Sequence, residues 1–197
     1  MCWGTLGTVR PFPNFHAERD VVEIQAALDS KDVVTLVRIL TNRTNAQRQA
    51  IADAFEELTQ KALSASLSGE KVETGPWITI LTSRDSNHLN EVLEGLELQR
   101  GHVVDQVLEK RFKGDLQMGL KVLVQCIRNP DLYLARRLVN TKTPILQGVM
   151  VSHAEEDLLC IRAAYLKLTG TSLYTALQKQ YKGYHLQALL ALCRSED

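Results

Sequence analysis

"ILTNR" at residues 39–43 returns forty-one residues later as "ILTSR" at 80–84. Widened, the match runs through "RILTNR" (38–43), "TILTSR" (79–84) and "GVMVSH" (148–153): apolar positions, a small polar one, then a basic or imidazole group. A second marker follows downstream in "LSGE" (67–70), "FKGD" (112–115) and "YKGY" (181–184). Ile80 to Val149 is 69 residues, and Gly114 to Gly183 is also 69. Two markers that keep one interval define a repeat of about 69 residues, the signature of a chain built from copies of one supersecondary unit. The first copy breaks the rule. Ile39 to Ile80 is only 41 and Gly69 to Gly114 only 45, so neither interval holds a full unit. The seam falls near "SGEKVETGPW" (68–77), where a helical stripe should follow Gly69 and does not.

Within the units the apolar residues recur with helical period. Leu116, Leu120, Leu123, Val124 and Ile127 form a one-sided stripe, as do Leu186, Leu189, Leu190 and Cys193. No run alternates with period two, and Pro and Gly fall mostly between stripes. The expected class is all-α, with about ten to twelve short helices. The first three are expected at about 18–28, 32–41 and 45–61, with Thr44 and Gln47 forming a capping box at the head of the third.

The bulk numbers fit a globular chain. Of 197 residues, 45% are hydrophobic and 23% charged, and Lys plus Arg equals Asp plus Glu at 23 each. That balance argues against a duplex nucleic-acid binder, which normally carries a basic excess. No apolar run is long enough to cross a bilayer, and the start, "MCWGTLGTVRPFPNF", lacks the pattern of a signal peptide. A cytosolic protein with reduced thiols is expected. Cys2, Cys126, Cys160 and Cys193 have no C-x-x-C pair or zinc-spaced histidine, and Cys126 and Cys193 are expected to act as small hydrophobes. Phosphate-loop, metalloprotease and nucleophile-elbow motifs are absent, and the five histidines are scattered, so no catalysis is expected.

Four longer strings carry a resemblance: "NFHAERDVVEIQAAL", "LVRILTNRTNAQRQAIADAF", "FKGDLQMGLKVLVQCIRNPDLYLARRL" and "SLYTALQKQYKGYHLQALLALC". They resemble the annexins, from about residue 14 to the end. The resemblance implies helical repeats of about seventy residues with five helices each, A to E. It further implies about two and a half units here, with one internal deletion. A short tail is expected at 1–15, helices A to D of a first repeat at 16–69, helices B to E of another at 76–129, and a final repeat at 130–197.

Annexin resemblance also implies calcium-dependent binding to acidic phospholipid, peripheral at the cytosolic membrane face. Calcium takes six to eight oxygens. In the family these come from a glycine-rich loop between helices A and B, together with a carboxylate three residues before the later glycine marker. Here the A–B loops read "ALDSKDVV" (26–33) and "VNTKTPIL" (139–146), without glycine, and the middle unit keeps only "TGPW" (74–77). Three residues before Gly69, Gly114 and Gly183 stand Ser66, Arg111 and Gln180. Calcium, the cofactor the family implies, is therefore expected to bind weakly or not at all. Glu70, Gly114 and Asp115 are the remaining weak candidates for metal contact, and Asp115 has a simpler role as a cap for its helix.

Basic residues recur at the same turns: Lys110, Arg111 and Lys113 in one unit, Lys179 and Lys182 in the next. They are the candidate lipid contacts, since anionic headgroups attract basic groups near the surface. Arg43 and Arg84 could bind lipid phosphate or simply neutralise the end of the helix before them. Some annexins recruit S100-type partners through an N-terminal amphipathic helix; none is recognisable in this N-terminus. The alternatives are a helical protein-interaction module, using apolar faces left uncovered at the seam, or a non-functional truncated annexin variant.

Overall fold

The computed structural model describes residues 8–69, 72–139 and 142–194. Among them the chain forms twelve helices and no strand. In order these are α1 (Ala17–Asp29), α2 (Val33–Thr41), α3 (Asn45–Ser66), α4 (Thr74–Ser83), α5 (Ser86–Arg100) and α6 (Val104–Arg111). Then follow α7 (Gly114–Arg128), α8 (Pro130–Leu138), α9 (Thr143–Ser152), α10 (Leu158–Thr169), α11 (Leu173–Gln180) and α12 (Gly183–Cys193).

Local chemistry sets many of the boundaries. The Thr44 hydroxyl accepts from the Gln47 amide at 3.3 Å, and the Gln47 side chain accepts from the Thr44 amide at 3.2 Å, completing the expected capping box of α3. Asp32, Asp85, Asn129 and Ser172 cap α2, α5, α8 and α11 in the simpler way, each accepting a backbone N–H from the first turn. Gly101 and Gly170 close α5 and α10 with φ of +68° and +71°, a left-handed conformation that glycine adopts without strain. These two glycines are also 69 residues apart, a third marker of the repeat.

The structure differs from the sequence expectation at one place in the first repeat. Four helices were expected between 16 and 69, yet three are present, because α3 runs unbroken for 22 residues. The later repeats break between their third and fourth helices at Gly101 and Gly170; residues 45–66 contain neither Gly nor Pro, so nothing stops the helix there.

The molecule divides into two units, Met1–Gln117 and Met118–Asp197. In the first, α3 is the spine, with α1, α5 and α4 laid against it, α2 against α1 and α6 against α5. Trp77 of α4 is fully buried there and meets the Phe112 ring edge-on at 5.7 Å. In the second unit α8 packs on α10, and α9 packs on both α8 and α12, around Met150, Ile161, Leu177 and Cys193. Cys193 is the small buried hydrophobe expected, whereas Cys160 is exposed. One apolar face has no cover within its unit: Val33, Val34 and Val37 of α2 are exposed, Val34 by 79%.

Candidate functional site

The glycine markers turn out to be structural as well as textual. Gly114 and Gly183 have φ of +64° and +62°, and each opens a helix, α7 and α12, immediately after a lysine. A residue with a Cβ would be strained at either point. The turns they make present Lys110, Lys113 and Asp115 to solvent in the first unit, and Lys179, Lys182 and Tyr184 in the second. Asp115 lies in the first turn of α7, where a carboxylate opposes the positive helix end. The sequence patterns passed over Tyr184, although at 90% exposure it is the most exposed large apolar side chain among the described residues.

The three positions that should carry a bidentate carboxylate have other occupations. Ser66 is buried; its hydroxyl donates to the Leu63 carbonyl at 2.7 Å and accepts the Trp77 indole N–H at 3.0 Å. Arg111 ends α6 and donates from its guanidinium to the Gly69 carbonyl, placing a cation on a backbone oxygen of the preceding turn. Gln180 is exposed at the end of α11. Glu70 lies outside the described residues.

The A–B loops give no better donor set. In the first, Asp32 is spent on α2: it accepts from the Thr35 amide at 3.1 Å and the Thr35 hydroxyl at 2.7 Å, and those bonds lower its pKa. Gly75 of "TGPW" lies inside the first turn of α4 rather than in an open loop. In the last loop, residues 140 and 141 lie outside the described residues, and Lys142 precedes α9. Among the described residues no three His, Cys, Asp or Glu side chains are grouped to hold a metal ion.

Arg43 and Arg84 are internal ties. Arg43 is only 4% exposed and makes a two-pronged pair with Asp20, Nε to Oδ2 at 2.5 Å and Nη2 to Oδ1 at 2.9 Å. Its guanidinium also lies 3.7 Å from the Phe12 ring centre, and one contact to the Asn42 carbonyl at 3.3 Å reaches the end of α2. Arg84 donates to Gln25 of α1 at 3.0 Å and stacks over Phe55 of α3 at 4.7 Å. Neither guanidinium stands free for a lipid phosphate. A cavity of about 610 Å³ beside Phe12, Asn14 and α1 is also lined by Arg38, but that cation pairs with Glu23.

One acidic feature was not anticipated. Glu56 of α3 shares a hydrogen bond with Glu91 of α5, and this bond, with burial and the charges of Glu91 and Asp53, pushes its pKa up to about 7. On the same face His88 stacks against Phe55 at 5.3 Å, and burial, followed by the charge of Arg84, lowers its pKa.

The annexin family model matches residues 19–73 and 135–192, more than half of the chain. Annexin A9 of Bos taurus is 27% identical and that of Homo sapiens 26%, each alignment covering 99% of this chain and 92% of the relative. Those alignments span 316 positions against 197 residues here, so at least 119 positions of the alignment lack a residue of this chain. Among solved structures, annexin A8 superposes with a TM-score of 0.65 at 21% identity, over 92% of this chain and 73% of that one. With the repeat spacing, the helix order and the family match in agreement, the chain belongs to the annexin family.

Proposed function

We propose that this chain is a peripheral binder of acidic phospholipid surfaces, as its family implies, in which calcium dependence has become weak or been lost. The observation that carries the second half is the occupation of the carboxylate positions. Ser66 is committed to Trp77, and Arg111 puts a positive charge where a cation site would need a negative one. Gly114 and Asp115 are the described candidates for a residual contact, and among the described residues no three His, Cys, Asp or Glu side chains gather around them to complete a calcium shell. The lipid-contact residues proposed are Lys110, Arg111 and Lys113 in the first unit and Lys179 and Lys182 in the second.

Attachment would be electrostatic and peripheral, at the cytosolic face. No helix among the described residues is long and apolar enough to cross a membrane. Neither catalysis nor nucleic-acid binding enters this proposal. The domain reading also remains a proposal: a first repeat without its last helix joined to another without its opening helix, followed by one complete repeat of five helices. A second function, docking of a protein partner, is supported by the uncovered valine face of α2.

Pelleting with vesicles tests the proposal. The purified chain should pellet with phosphatidylserine vesicles and stay in solution with phosphatidylcholine alone. Failure to pellet with either, from a sample that unfolds cooperatively, would remove the lipid proposal and leave the α2 face as the better lead.

A further inference from the structure

From Leu158 to Ser195 the sequence contains no Asp or Glu, but it contains Arg162, Lys167, Lys179, Lys182 and Arg194. A chain of zero net charge has thus concentrated one sign in α10 to α12 of its second unit. Such segregation favours an anionic partner in a way the balanced total conceals.

The tip of this basic stretch is a built turn. Tyr181 is buried, its hydroxyl donates to Thr143 at 3.4 Å, and its ring meets the His185 ring edge-on at 5.0 Å. His185 in turn lies 2.8 Å from the side-chain amide of Gln147 on α9. Those contacts fix the backbone on both sides of Gly183. Tyr184, held between these anchored residues, extends outward at 90% exposure beside Lys182.

The position has a counterpart. Asp115 and Tyr184 are 69 residues apart, and each follows a left-handed glycine at the head of a helix. Where one repeat offers a carboxylate, the last repeat offers a phenol. A carboxylate at such a turn needs a bridging cation to meet an anionic surface; an uncharged phenol does not. Tyrosine has an apolar body and a polar tip and favours the headgroup level of a bilayer.

We propose that Tyr184 is a calcium-independent membrane anchor, its ring entering the headgroup region of an anionic bilayer while Lys179 and Lys182 hold the lipid charge. The inference rests on the phospholipid-binding function above and names the residue that would make calcium dispensable. An acidic protein surface would also be drawn to the lysines, but it would gain little from a ring that no neighbouring side chain encloses. A fluid interface accepts such a ring without a preformed groove.

The experiment uses the full chain carrying Tyr184→Trp on a Trp3→Phe background. Trp77 is fully buried, so its emission is a constant background. With chelator present, vesicles containing phosphatidylserine and brominated acyl chains should shift the new indole emission to the blue and quench it. Phosphatidylcholine vesicles should do neither. Independently, Tyr184→Ala should weaken the calcium-free affinity of the otherwise unchanged chain, and Lys182→Ala should cut it by ~5-fold. If the protein pellets but the indole stays unquenched and Tyr184→Ala binds as well as the parent, the anchor is wrong while the lipid function stands. If the parent pellets under no condition, both fall together.

Discussion

Asp20 and Arg43 form a buried ion pair that joins α1 to the three-residue link between α2 and α3, closed by two hydrogen bonds of 2.9 and 2.5 Å and covered by the ring of Phe12. The Phe12 backbone is itself held at both its amide and its carbonyl by Gln47, each at 3.0 Å, so one glutamine caps α3 and fastens the N-terminal segment. Removing one partner of such a pair strands the other charge in the interior. Arg43→Ala should therefore lower the unfolding free energy by about 3–5 kcal/mol in a denaturant titration. Asp20→Ala should cost a similar amount, and the double variant less than the sum. A loss of lipid binding with unchanged stability would instead return Arg43 to the role of phosphate ligand.

Ser66 and Trp77 bring the same logic to the position where the family resemblance implies a carboxylate. Ser66→Ala leaves the buried indole N–H without its acceptor and should cost about 1–2 kcal/mol by the same titration. Ser66→Asp, which restores the family's carboxylate by composition, should destabilise further, because the position is buried beside an aromatic core. A Ser66→Asp chain as stable as the parent and newly responsive to calcium would show that the site was only one atom group from function.

Arg111 offers the more permissive test of that idea, since its position is only partly buried. Arg111→Glu removes the cation from the Gly69 carbonyl and places a carboxylate three residues before Gly114 and close in sequence to Asp115. The variant should acquire calcium-dependent pelleting at millimolar calcium, while its pelleting in chelator weakens. No change in either condition would mean that the missing glycine loops, rather than this arginine, keep calcium out.

Glu56 predicts a dependence of stability on pH. Its ordinary carboxyl pKa is raised to about 7 in the folded chain, chiefly by the hydrogen bond with Glu91 and then by burial. Between the ordinary range and about 7 the folded form keeps a proton that the unfolded chain has released, so stability falls as pH climbs through that window. Above it both forms are ionised and the slope vanishes. Glu56→Gln should flatten the profile between pH 5 and about 7 and raise the melting temperature at pH 8 by a few degrees. A parent chain whose melting temperature is level across that range would contradict the shared proton.

Much of the fold was legible because glycine and apolar spacing act locally. The 69-residue interval marks Gly114 and Gly183 in the sequence alone, and both are left-handed turns. Thr44 and Gln47 announced their capping box for the same reason: every atom it needs lies within four residues. The fusion of two helices into α3 depended on the absence of a glycine, which is easily overlooked when a repeat is expected. The fate of Arg43 was illegible because Asp20 is 23 residues away, and only folding brings them together. Glu56 and Glu91 are hidden likewise, on two helices that meet face to face. At the candidate site the sequence shows which lysines recur near the turns and that Ser66, Arg111 and Gln180 stand where the family resemblance implies a carboxylate. It did not reveal that Ser66 and Arg111 had acquired structural partners, nor that Tyr184 stands uncovered.

Titrating calcium against vesicle pelleting separates lipid binding that does not wait for calcium from binding that does. The fraction of purified chain that pellets with phosphatidylserine vesicles would be measured from chelator up to millimolar free calcium, at one fixed salt concentration. Calcium-independent binding gives appreciable pelleting in chelator, a nearly flat response to calcium, and release as salt screens the lysines. No pelleting in chelator, followed by a steep rise with calcium, would contradict it and show that a working calcium site survives in this shortened annexin.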